Sequence, residues 1–127
     1  MSDEPERSVQ LSIAAHPRML RFARVVAATL AVELEFTLDE IEDLRVAVDE
    51  LAAAAIEGAD GAATLDLWFQ IRDADLVVDG EVQGELDATE LHPVAQELIN
   101  MLANSYEFTT RDGKRVFRLV KHRSTDT

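Results

Sequence analysis

The plainest chemical pattern in the sequence is made by three arginines. Arg18, Arg21 and Arg24 recur every third residue, which puts them on one broad side of a helix. A guanidinium offers a planar fork suited to a carboxylate on another protein. The plain alternative is a solvated helix face, yet the chain around these cations has a formal net charge of −13. Other chemistries find no footing. There is no cysteine, which excludes a disulfide framework, a cysteine zinc site and a thiol nucleophile. His16, His92 and His122 stand far apart and show no metal-ligand spacing. Glu50 lies on the polar side of a helical stretch, where it reads more readily as a surface carboxylate than as a catalytic group.

The net charge argues against direct nucleic-acid binding, which needs clustered Lys and Arg, and suits a basic protein partner. With 127 residues and 47% hydrophobic content, the chain is expected to form one globular domain. Met1 to Arg7 is charged and lacks the apolar stretch of a signal peptide, and no apolar run is long enough to span a membrane. A cytoplasmic protein without a membrane partner is the expectation.

The elements that must carry these residues follow from periodicity. Residues 1–8 and 122–127 are polar and expected to be disordered tails around a single domain at 9–121. Val9, Leu11 and Ile13 alternate with polar residues, as in a strand. Pro17 suits the first position of a helix over 17–34, with Phe22, Val26 and Leu30 turned inward and the arginines outward. Thr37 and Glu40 form a capping box opening a helix at 38–57 that stops near Gly58. Ile41, Leu44, Val48, Leu51, Ala52 and Ala55 make its apolar stripe, with Asp43, Ala47, Glu50 and Ala54 opposite. Leu65 to Ile71 and Leu76 to Val82 read as strands joined by the turn Arg72–Asp75, with Trp68 on the polar side. A helix over 90–104 turns Val94, Leu98, Ile99 and Leu102 inward. Tyr106 to Thr110 and Lys114 to Val120 form a closing hairpin. The order β-α-α-β-β-α-β-β implies an α+β two-layer sandwich, with three helices on one face of a mostly antiparallel sheet.

That order, and residues 9–57 above all, resembles the anti-sigma factors that double as serine-protein kinases. These share the histidine-kinase-like ATPase fold with histidine kinases, gyrase and a heat-shock chaperone. Phe22-Ala-Arg-Val25 looks like their first helix, and the stretch from Phe36 to Glu50 looks like their second. The pattern is most similar to actinobacterial members that regulate a stress-response sigma factor. The resemblance implies that Arg24 holds the sigma factor.

It also implies a nucleotide site, and three of its elements are altered. The family's second helix carries Glu-x-x-x-Asn, the Asn oxygen binding magnesium; here Glu50 is followed by Ala54, which has no side-chain oxygen for a hard cation. In the family's Asp-x-Gly-x-Gly, the Asp accepts from the adenine amino group. Val82 falls at the Asp and Gly84 at the first Gly, while an alternative register on Asp79-Gly80 comes too early in the strand. The glycine-rich phosphate turn is replaced by His92, Pro93 and Ala95, and Pro93 has no amide hydrogen to give.

The expectation is therefore a binding protein without a cofactor. It would sequester a sigma factor and be released by an anti-anti-sigma factor, a switch that needs only differential affinity. The alternative is an active kinase using ATP with magnesium to phosphorylate the anti-anti-sigma factor. A third reading is a regulator of some other signalling protein on the same scaffold. Family members are commonly homodimers.

Overall fold

The computed structural model describes residues 7–84, 86–87 and 89–124. Its elements are β1 (Ser8–Ala14), a short 3-10 turn (Pro17–Met19), α1 (Leu20–Glu33), α2 (Leu38–Ile56), β2 (Thr64–Arg72), β3 (Asp75–Gln83), α3 (Pro93–Leu102), β4 (Ser105–Arg111) and β5 (Lys114–His122). The strands form one sheet in the order β1-β2-β3-β5-β4, and every neighbouring pair is antiparallel. Burial alternates along β2: Leu65, Leu67 and Phe69 are fully buried under the helices, while Asp66, Trp68 and Gln70 face the open side. Both hairpins turn on left-handed residues, Asp73 between β2 and β3 and Asp112-Gly113 between β4 and β5, as tight two-residue turns require.

The capping box of α2 forms as expected. The Thr37 hydroxyl accepts from the Glu40 amide at 3.1 Å, and the Glu40 carboxylate accepts from the Thr37 amide at 2.7 Å. The faces of the helices differ in part from the sequence expectation. Ala47 is fully buried rather than opposite the apolar stripe, because α2 lies between α1 on one side and α3 and the sheet on the other. In α1 the buried residues are Leu20, Ala23, Ala27 and Ala31, and Phe22 is 40% exposed. Alanines at this spacing let α1 approach α2 closely, and that fit outweighs the greater apolar area of Phe22. The third helix is shorter than expected. His92 caps it and Pro93 occupies its first turn, so residues 90 and 91 stay outside the helix. Ile99 is its fully buried residue, and Val94 points outward at 67% exposure.

Order reaches further toward both ends than the 9–121 boundaries. Ser8 pairs with Gln70 in the sheet, and His122 belongs to β5. Beyond it, the Arg123 amide donates to the Ala74 carbonyl at 3.0 Å and the Ser124 amide to Glu40 at 2.7 Å. The rest of the expected tails, 1–6 and 125–127, lies outside the described residues.

The C-terminal strand also finishes the helices. Lys121 Nζ donates to the Leu102 carbonyl at the end of α3 at 2.7 Å, and Arg123 donates to the Leu34 carbonyl at the end of α1 at 3.2 Å. Arg115 reaches the end of α2. Orphan helix carbonyls carry partial negative charge, so cations stabilise them.

Candidate functional site

The five positions of the expected nucleotide site fall along α2, the end of β3 and the start of α3. Glu50 is half-buried on α2 and, among the described residues, takes part in no side-chain hydrogen bond or ion pair. Ala54 is half-buried one turn later, and Val82 is fully buried on β3. Gly84 follows that strand at a φ of 141°, a conformation that favours glycine. Asp79 faces the open side of the sheet, where it accepts from Arg118 at 2.7 and 3.1 Å, so the alternative register would place its carboxylate on the wrong face. That hydrogen bond, with the charge of Asp79, raises the Arg118 pKa above its ordinary value. At the start of α3, Pro93 has no amide hydrogen, and the Val94 amide is taken by His92 Nδ1 at 3.1 Å. A helix N-terminus binds anions through free amides, and two of this helix's first three are thus unavailable.

One residue that sequence reasoning passed over joins two of these positions. Arg115 on β5 is 5% exposed and pairs directly across the sheet from Val82. Its guanidinium donates to the carbonyls of Ala54 at 3.4 Å, Ala55 at 3.1 Å and Glu57. It also donates to the Asp87 carbonyl, at 3.0 and 3.3 Å. The signal was in the alternation: Arg115 shares the inward side of β5 with Phe117 and Leu119. Among the described residues no cluster of three or more His, Cys, Asp or Glu could hold a metal ion.

The arginines lie elsewhere. Arg18 is in the 3-10 turn ahead of α1 and is exposed. The Arg21 guanidinium stacks over the Phe22 ring, 5.0 Å from its centroid. Arg24 is half-buried and bonded to Asp49 of α2 at 2.5 Å. Arg21 and Arg24 line a groove of about 390 Å³ between α1 and α2, with Val25 and Ile41 as its apolar wall and Arg45 on its far side. Phe22 and Val25, the latter 61% exposed, continue the apolar surface beside it. The structure thus brings Arg21 and Arg24 together with Arg45, while Arg18 stands outside the groove.

No helix among the described residues is long and apolar enough to cross a membrane. No family model and no curated protein matches the chain. Its structure is similar to the crystal structure of the RsbU and RsbW domains of Rv1364c from Mycobacterium tuberculosis, with a TM-score of 0.72 at 12% identity, covering 97% of this chain. The chain spans about a third of that neighbour's length, 34% of it. At this identity the likeness is one of fold: the chain has a histidine-kinase-like ATPase fold.

Proposed function

We propose that this chain is an anti-sigma-factor-like regulator that works by binding and not by phosphoryl transfer. It sequesters a sigma factor, an anti-anti-sigma factor releases it, and ATP has no part in the cycle. The observation that carries the reading is the state of the nucleotide positions. Ala54 and Val82 offer no side-chain oxygen, and the buried Arg115 guanidinium spans the space beside them. A magnesium-bound triphosphate needs oxygen ligands and free amides where this chain presents a methyl group, an isopropyl group and a proline.

The binding surface in this reading is the groove between α1 and α2. Its rim of Arg21, Arg24 and Arg45 suits carboxylates, and its wall of Val25 and Ile41 suits apolar side chains. An acidic, partly apolar helix of a sigma factor has that character. An anti-anti-sigma factor competing for an overlapping surface would release it without covalent chemistry.

The test is titration of purified sigma factors from the source bacterium against the chain, with and without ATP and magnesium. The expected result is one sigma factor that binds at the same affinity in both conditions. Nucleotide binding in the micromolar range by calorimetry, dependent on magnesium, would overturn the reading and favour the kinase.

A further inference from the structure

We infer that Arg115 is an internal occupant of the place where this fold would otherwise take a nucleotide, and that it fastens the stretch after β3 to the end of α2. The inference rests on the proposed function only for the identity of that place; the fastening itself rests on geometry.

Arg115 is the one buried charged residue among the described residues, at 5% exposure. A buried cation is costly unless its donors are satisfied. Among the described residues no carboxylate satisfies them. There the guanidinium donates to backbone carbonyls: those of Ala54, Ala55 and Glu57 on one side and that of Asp87 on the other. The first group is the C-terminal end of α2, where a cation is favoured by the orphan carbonyls and the helix dipole. The second lies between β3 and α3.

Only a fork can serve both sides. One terminal nitrogen, Nη1, faces the helix end, while Nε and Nη2 face Asp87. The residue is rooted on β5 opposite Val82, so the sheet holds its stem. One side chain therefore links the sheet, the end of the second helix and the stretch after β3. Other ties on that stretch are few among the described residues: the Leu86 amide to the Gly113 carbonyl at 3.4 Å, and the Gln96 side chain to the Leu91 carbonyl at 2.8 Å.

The consequence is a stretch held down permanently by the chain itself, with no ligand needed. Amide exchange followed by NMR on the full chain tests this, using the wild type, Arg115→Met and Arg115→Lys. Arg115→Met is expected to raise exchange at Leu86 and Ala59 about tenfold or more, while β2 amides such as Leu67 stay protected. Arg115→Lys, which keeps the charge and loses the fork, is expected to protect Ala59 and free Leu86. Guanidinium ion added to Arg115→Met is expected to restore part of the protection, and sodium at equal ionic strength none. Three results would overturn the inference. These are unchanged exchange at Leu86 in Arg115→Met, an equal rise throughout the sheet in both Arg115→Met and Arg115→Lys, and added ATP with magnesium protecting Leu86 in the wild type. Failure of the sigma-factor titration would leave these readouts untouched, so the two ideas fail separately.

Discussion

Arg24 enters any encounter already bonded to a carboxylate. Its partner Asp49 sits 2.5 Å away, and both side chains are about one-third exposed, at 33% and 38%. A sigma-factor carboxylate must share or displace Asp49, and that competition sets the expected signs. Arg24→Glu should weaken sigma-factor binding by about 2 kcal/mol or more, as when one member of a buried interfacial charge pair is reversed. Asp49→Asn, which frees the guanidinium, should tighten it. Arg72→Glu, on an exposed hairpin turn, controls for net charge. Titration at two salt concentrations separates contact from long-range attraction; equal losses in Arg24→Glu and Arg72→Glu would remove the groove from the interface. Glu50→Ala should leave fold and partner affinity within about 0.5 kcal/mol, since no described residue hydrogen-bonds or ion-pairs with the half-buried Glu50 side chain. Gly80 is less forgiving. A Cβ there would sit 2.3 Å from Phe117 Cε2 in the packed core, so Gly80→Ala should cost about 1–3 kcal/mol of stability in denaturant melts. At this scale the sequence was readable where a residue's type decides, as with the missing oxygens of Ala54 and Val82. It was silent on pairing: nothing local links Arg24 to Asp49, 25 positions away.

Among the elements, α2 carries the best-defined start. Its Glu40 accepts from the Thr37 amide and from the Ser124 amide, both at 2.7 Å. Burial alone would raise the Glu40 pKa, but these hydrogen bonds outweigh it and hold the carboxyl below its ordinary value of 4.5. A carboxyl depressed in the folded state contributes stability that is complete above the unfolded value and is lost as pH falls through the folded one. Glu40→Gln should therefore be less stable than wild type at neutral pH, and the two should converge once pH has fallen through the folded-state value. Denaturant melts across that range check it. Thr37→Ala should cost about 1 kcal/mol at any of these pH values. Capping boxes, strand alternation and hairpin turns are local rules, which is why element order and most boundaries could be read from residues alone. The inward face of α1 could not. Ala23, Ala27 and Ala31 win it through close approach to α2, a property of two helices together that no single-helix periodicity contains.

Across the whole molecule, the three helices depend on one strand for their ends. Arg115, Lys121 and Arg123, all from β5 or one residue past it, supply donors to the C-terminal carbonyls of α2, α3 and α1. During synthesis every helix leaves the ribosome before its cap does. Until β5 arrives, the helix ends must rely on water, and they should fray. Folding therefore closes late and as a unit, because the contacts that finish the helices are also those that add β5 beside β3. The same arrangement carries damage in the other direction. A chain cut after Val120 loses no helix and little of the sheet, yet it loses the caps of α1 and α3. Its unfolding free energy should fall by about 1–3 kcal/mol, and the amides that close the two helix ends, Phe36 and Ala103, should exchange faster while β2 does not. A small loss at one end of the polypeptide would be felt at the ends of two helices.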